Sequence, residues 1–276
     1  NKGLMFKTNN KLCYKASPRD CHECLPDHQP GDFFLREQYI KRIFNNVDQY
    51  ISPSKFLKQR YVDWGLKDSQ IEVIENGQPK IESISPGEIT STVEVSNTVK
   101  FSFFGQVNPY KGIDVVIEAF SLIPKTLRKQ ATLEIYGANL EHQKGSYKNK
   151  VADLLDIAGK RVHFHGSYEP SEMPKLLSKV DCAIVPSIWW ENSPMVIQEA
   201  FNANVPLLVS DVGGMAEKVQ HGVNGIHFRA GSAFDLASFM EQIIIDRSVL
   251  TKLKTGITKP LSIESCVEQH KSLYFN

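Results

Sequence analysis

From Val99 onward, short apolar runs alternate with amphipathic stretches, and this alternation restricts the chain more than any other feature. The runs are VKFSFFG (99–105), ATLEIYG (131–137), RVHFHG (161–166), CAIVPS (182–187), PLLVSD (206–211) and GIHF (225–228). Helical spacing lies between them, near 112–123, 149–158, 171–180, 194–204 and 214–221, and two or three further helices follow to the end. Strand, helix and strand in succession predict an α/β fold, with a mostly parallel sheet covered by helices on both faces. Ligands in such sheets bind outside the carboxyl ends of the strands. The residues that follow each strand are therefore where chemistry is to be sought.

The first third reads differently. Residues 1–32 are rich in Lys, Asn, Pro and Cys without sustained periodicity, and read as an extended loop. DFFLREQYIKRIFNNV (32–47) is a predicted helix and QYISPS (49–54) a short strand. SPSKFLKQRYVDWG (52–65) is a second helix, opened by Ser52 or Ser54 and closed by Gly65, and IEVIENG (71–77) is another strand. The Ser, Thr, Pro and Glu of residues 78–98 mark a linker between two domains. The chain opens on Asn1 rather than Met and its first residues lack a strand-helix pattern, so a fragment of a longer protein is expected.

With 276 residues, 41% of them hydrophobic, there is enough material for one large or two moderate cores. A formal net charge of +1 argues against a nucleic-acid surface. No apolar run reaches the roughly 18 residues a membrane-spanning helix needs, and no signal peptide is visible, so a soluble cytoplasmic protein is expected. The chain contains no G-x-G-x-x-G after the first strand, no G-x-x-x-x-G-K-[ST] and no G-x-S-x-G. Dehydrogenase, P-loop and α/β-hydrolase readings are thereby set aside.

Three strand ends stand out. GQVNPYKGID (105–114) sets Gly105, which permits close backbone approach, ahead of Lys111 at a helix start. That suits a phosphate, although a solvated lysine after a turn would look the same. WWENSPMVIQEAF (189–201) carries Glu191 and Glu199 eight positions apart around a helix start, with Asn192 or Ser193 as cap and Pro194 in the first turn. The helix reads as nearly all apolar, so its unpaired N–H groups would face an anion rather than bulk water. SDVGGMAE (210–217) opens another helix at Gly213 and Gly214, whose N–H groups can cradle an anion, although Gly-Gly is more often just a turn.

The ordered set FGQVNPYKGIDVVIEAF, LEIYG, VHFHGSYEPSEMPKLLSKVDCAIVPS and ENSPMVIQEAFNANVPLLVSDVGGMAEKVQHGVNGIHF resembles the group 1 glycosyltransferases, retaining enzymes of GT-B fold. The resemblance runs from about residue 33 to the end and is closest over 99–230. It implies an incomplete N-terminal acceptor domain (1–77), a linker (78–98), a Rossmann-like nucleotide-sugar-binding domain (99–260) and a last helix (261–276) that returns to the first domain. By this resemblance, Glu199 takes the ribose hydroxyls of a nucleotide and Glu191 lies at the transferred sugar. Asn192, Ser193, Pro194 and Met195 turn toward the diphosphate, with Gly105, Gly213 and Gly214, and Lys111 neutralises it as it leaves. The turn from Gly166 to Tyr168 lies near the nucleobase, whereas His165 beside it, as a lone histidine, reads as a satisfied strand-end residue. The family commonly places arginine where Gln106 stands; glutamine offers hydrogen bonds but no charge.

The implied activity is sugar transfer from a nucleotide-diphosphate sugar to a carbohydrate or lipid-linked acceptor, with retention, in glycan, polysaccharide or glycolipid synthesis. The resemblance also implies that no cofactor or catalytic metal is required. The implied location is the cytoplasm or the inner face of the membrane, touched only through the missing N-terminal part. A nucleotide-sugar epimerase of the same fold and a non-catalytic nucleotide-sugar-binding module are the alternatives. Separately, Cys13, Cys21 and Cys24 have the spacing C-x7-C-x2-C, with His22 and His28 nearby. They read either as a structural zinc knuckle or as reduced thiols in a surface loop. Cys182 and Cys266 read as core residues.

Overall fold

The computed structural model describes residues 12–14, 16–80 and 98–275. The chain divides into two compact units, Asn1–Glu75 and Asn76–Asn276. Most of the expected linker, residues 81–97, lies outside the described residues, as do residues 1–11.

In the first unit α1 (Pro18–Cys24) and α2 (Pro30–Phe44) precede β1 (Tyr50–Ser52), α3 (Lys55–Trp64) and β2 (Ile71–Val73). The two strands pair in parallel, Tyr50 opposite Ile71. α1 corrects the reading of residues 1–32 as an extended loop. Ser17 accepts from the Asp20 N–H and Pro18 occupies the first turn, a start signal that the surrounding Cys and Lys residues obscured. α3 is capped by Ser54, which accepts from the Leu57 N–H, and ends on Gly65 at φ 110°. Phe44 gathers the aromatic side chains of this unit, with Tyr50 at 5.5 Å and Trp64 edge-on at 5.4 Å. The Arg60 guanidinium donates to the carbonyls of Tyr14 and Cys13 at 2.8 and 3.3 Å, tying that early segment to α3.

The second unit is built on β3 (Val99–Phe104), β4 (Ala131–Tyr136), β5 (Val162–Gly166), β6 (Cys182–Val185), β7 (Leu207–Ser210) and β8 (Gly225–Phe228). All pairings are parallel and the strand order is β5-β4-β3-β6-β7-β8. The crossovers are α4 (Ile113–Leu122) with the short α5 (Lys125–Arg128), α6 (Gly145–Ala158), α7 (Met173–Leu177), α8 (Met195–Asn202) and α9 (Gly213–Lys218). After β8 come α10 (Ala233–Ile245), α11 (Ser248–Thr255) and α12 (Ile263–Tyr274). The α/β architecture expected from the alternation is thus present.

Each central strand is apolar on both sides because each side meets helices. Phe101, Phe103, Leu133, Ile135, Cys182, Ile184 and Leu208 point to one core, with Ile117 and Phe120 of α4 and Met240 of α10. Phe104, Ala183, Val185, Leu207 and Val209 point to the other, with Leu177 of α7, Ile197 and Phe201 of α8 and Met215 of α9. Cys182 is fully buried as expected, whereas Cys266 on α12 is only half-buried, its sulfur 3.6 Å from His270 Nδ1. At the start of this unit Gln78 is buried and pairs with the α12 entry, its N–H donating to the Leu261 carbonyl at 2.7 Å and its carbonyl accepting from Ile263 at 3.0 Å. No helix among the described residues is long and apolar enough to cross a membrane.

Phe120 is wholly buried between α4 and the sheet. Phe120→Ala is expected to lower unfolding stability by about 3–5 kcal/mol. In urea titrations of the chain this appears as a lower midpoint with unchanged slope.

Candidate functional site

The strand order reverses between β3 and β6: the chain lays β4 and β5 to one side of β3, then returns to start β6 on the other. Open sheets take their ligands at such a reversal, outside the carboxyl ends of the strands, which is where the loops leaving β3 and β6 lie. After β3, Gly105 takes φ 142° and Gln106 is exposed, while Val107 turns back into the core. The Asn108 side-chain oxygen accepts from the N–H groups of Tyr110 and Lys111 at 3.0 and 3.1 Å, curling the chain so that Lys111 precedes α4. Gly112 has φ 69°, and a Cβ there would run into the Pro186 carbonyl. Only glycine fits, because this loop is pressed against the end of β6. The Ile188 N–H donates to the Tyr110 carbonyl at 2.9 Å, and Tyr110 stacks on Trp189 at 4.8 Å and 11°.

That contact brings Lys111 to Glu191. The Lys111 ammonium lies 2.6 Å from Glu191 Oε1, and the same oxygen accepts from Ser187 Oγ at 2.8 Å and Trp189 Nε1 at 2.9 Å. Oε2 takes none of these three. The Glu191 carbonyl is in turn held by the Gly214 N–H at 2.7 Å. Gly213, at φ 60°, and Gly214 lie so close to the Glu191–Asn192 backbone that a Cβ on Gly214 would run into the Asn192 carbonyl. Lys111, Glu191, Asn192, Gly213 and Gly214, drawn from three strand ends, thus form one cluster. Gly214 has a role the sequence did not reveal: its N–H is used inside the protein and holds the Glu191 turn, so it is not a donor toward a ligand.

α8 starts without the cap read from the sequence. Pro194 itself is the cap residue, at φ −60° and ψ 120°, and no side chain bonds the first turn. The Ser193 hydroxyl is buried without a partner and Asn192 is exposed. Pro194 fixes the entry direction, so the helix begins at Met195 and its first-turn N–H groups are not capped by Asn192 or Ser193. The helix is also less uniformly apolar than expected: Met195 is exposed, whereas Ile197, Gln198, Ala200 and Phe201 are buried.

Glu199, two turns along in sequence from Glu191, occupies a different environment. It is half-buried, and desolvation holds its carboxyl above the usual carboxylate range. Nearby Tyr168 is pushed up to about 12, first by burial and then by the Glu199 charge. Tyr168 follows Gly166, whose φ is 80°, at the end of β5, and sits edge-on to Phe104 and Tyr136, which stack on each other at 4.9 Å. His165 stacks on the far side of Tyr136 at 4.5 Å. It is a satisfied strand-end residue, as expected, with its Nε2 2.7 Å from Glu134, which also meets His163.

In the first unit, Cys21 and Cys24 lie on α1 and Cys13 is buried. Burial pushes the Cys21 thiol up, with Cys13 and Cys24 among the nearby groups. His22 Nδ1 is 2.6 Å from the His28 carbonyl and so is turned to backbone. Among the described residues, one group of histidine, cysteine and carboxylate ligand atoms converges within 4.8 Å, and it is Glu134, His163 and His165 rather than these cysteines.

The family model described as "Glycosyl transferases group 1" matches residues 88–259, more than half of the chain. Among curated proteins, the lipopolysaccharide 1,2-N-acetylglucosaminetransferase of Salmonella typhimurium is 28% identical over 189 residues, which is 66% of this chain and 49% of that protein. An uncharacterized glycosyltransferase of Methanocaldococcus jannaschii is 28% identical over 247 residues, 82% of this chain and 59% of that one. This chain therefore spans about half to three-fifths of those relatives. HepE of Anabaena, crystallised with UDP, shares the fold with a TM-score of 0.70 and 22% identity, over 82% of this chain and 63% of that one.

The raised Glu199 carboxyl sets a pH dependence. Between the ordinary glutamate range, about 4.3 in an unfolded chain, and its higher folded value, the unfolded state loses this proton first, so stability falls as pH rises through that window. Glu199→Gln is therefore expected to raise the melting temperature at pH 7, with the gain vanishing below about pH 4. Thermal melts of both proteins across pH measure this; an equal or lower melting temperature for the variant at pH 7 contradicts it.

Proposed function

We propose a function from the premise that this chain belongs to the group 1 glycosyl transferases: it holds a nucleotide-diphosphate sugar at the carboxyl ends of β3 and β6 for transfer of the sugar, with retention, to a carbohydrate or lipid-linked acceptor. The observation that carries the reading is the meeting of Lys111 and Glu191, 80 residues apart in sequence, at the point where the strand order reverses. Open sheets bind their ligands there.

Each group has a task that fits its surroundings. The Lys111 ammonium supplies positive charge where the diphosphate departs, and the uncapped first turn of α8 adds N–H donors to the same end. The transition state gathers negative charge on the leaving diphosphate and positive charge on the sugar ring, so fixed cationic and dipolar groups at the diphosphate favour departure. Glu191 Oε2, clear of the three donors on Oε1, can accept a hydroxyl of the transferred sugar. Glu199 accepts the ribose hydroxyls; its partly desolvated carboxyl has an unmet need for donors that two vicinal hydroxyls fill. Tyr168 and the turn after Gly166 border the base. Gln106 hydrogen-bonds phosphate without adding charge. A uridine nucleotide is the first donor to try, since HepE was crystallised with UDP.

Two measurements test this. Calorimetry with UDP and UDP-sugars is expected to show binding to the chain that Glu199→Ala abolishes while the far-ultraviolet circular dichroism stays unchanged; retained affinity in the variant contradicts the assignment. With acceptor added to the protein extended by the remainder of its relatives' length, Lys111→Ala is expected to slow transfer by about 10²–10³-fold. Conversion of the donor sugar without any acceptor would instead identify an epimerase.

A further inference from the structure

The edge of the sheet farthest from β8 carries a cluster that the donor site does not use. Glu134 points out of β4, and His163 and His165 point out of β5, the outermost strand. His163 stands directly opposite Glu134 in the parallel register. The ladder then slips: Ile135 faces Phe164 but Tyr136 faces Gly166, so His165 is the extra residue of an irregularity. Such irregularities re-aim a side chain, and here both imidazoles converge on one carboxylate. His163 Nδ1 lies 3.0 and 3.1 Å from the two Glu134 oxygens, and His165 Nε2 lies 2.7 Å from Oε2.

We infer that Glu134, His163 and His165 form a binding site for a divalent transition-metal ion of the zinc class, with solvent completing its coordination. Two imidazoles and a carboxylate on three sides, with one side open, are a donor set that Zn²⁺ accepts. The ligand atoms lie within 4.8 Å of one another, and tetrahedral zinc with bonds near 2.1 Å needs them about 3.3 Å apart, a change reached by small side-chain rotations. The carboxylate is mostly covered, its side chain 13% exposed, while the imidazoles are 46% and 41% exposed and leave the outer side open to water. Tyr136 stacked on His165 at 10° fixes the plane of that ring. An ion here cross-links β5 to β4 and steadies the strand that leads into Gly166 and Tyr168.

The competing occupant is a pair of protons, because both imidazoles can simply donate to Glu134. Chelator-stripped protein titrated with Zn²⁺ in a calorimeter separates the two. One Zn²⁺ per chain is expected to bind at this site. His163→Gln and His165→Gln are each expected to weaken it about tenfold or more. The cysteines of the first unit are controlled by repeating the titration with Cys13, Cys21 and Cys24 replaced by serine, and by Co²⁺ spectra. The edge site gives visible bands without a near-ultraviolet thiolate band, and it survives the cysteine changes. Should the histidine variants be unstable, carbethoxylation of His163 and His165 in the unaltered protein is expected to slow when Zn²⁺ is added. Zn²⁺ affinity unchanged in both variants, binding lost with the cysteines, or unprotected histidines would each overturn the inference.

Discussion

Everything at the carboxyl edge of the second unit depends on one close approach of backbone to backbone. The loop after β3 and the loop after β6 touch at Gly112 and Pro186, with no room for a side chain between them. One hydrogen bond, from Ile188 to Tyr110, and one ring stack, Tyr110 on Trp189, hold the two loops in register. The Lys111–Glu191 pair follows from this geometry. A lysine and a glutamate that far apart in sequence would otherwise gain little from pairing in water, where an exposed ion pair contributes about 0–1 kcal/mol. Here both are partly sheltered and shared by further donors, so the pair describes a built site more than a stabilising contact.

The two glutamates of the E-x7-E spacing show how one helix start can give like residues different chemistry. Glu191 is answered within the protein by an ammonium, a hydroxyl and an indole N–H. Glu199 is desolvated beside Tyr168 and shifted upward. Its neighbourhood runs outward through Tyr168, Tyr136 and His165 to the edge strand. The surroundings of the second acid are therefore connected, ring by ring, to the Glu134 cluster.

Much of the second unit was legible in the sequence because its periodicity is strong and its strands are apolar on both sides. The strand ends followed from that, and so did the positions of Lys111, Glu191 and the Gly213–Gly214 pair. What local pattern could not supply was pairing across distance. Glu134 and His163 lie 29 residues apart and meet only through the β4–β5 register, and the slip at Ile135 that frees His165 has no signature in VHFHG. Trp189 and Ser187 carry no signal of their own in the sequence, yet both donate to Glu191. Short-range signals also misled where two competed. Ser193 resembles a cap, but Pro194 takes the cap position and leaves that hydroxyl buried and unbonded. Ser17-Pro18 is a genuine helix start whose Cys- and Lys-rich surroundings read as a loop.

The three donors on a single oxygen of Glu191 have an entropic consequence. A glutamate side chain free in water samples many rotamers, and stilling it costs up to about 1.5–2 kcal/mol. Here that loss is incurred once, when the chain folds, because Lys111, Ser187 and Trp189 fix the carboxylate through Oε1. A molecule arriving at Oε2 meets an acceptor whose direction is already set. It can be selected by the angle of its hydroxyl as well as by its charge.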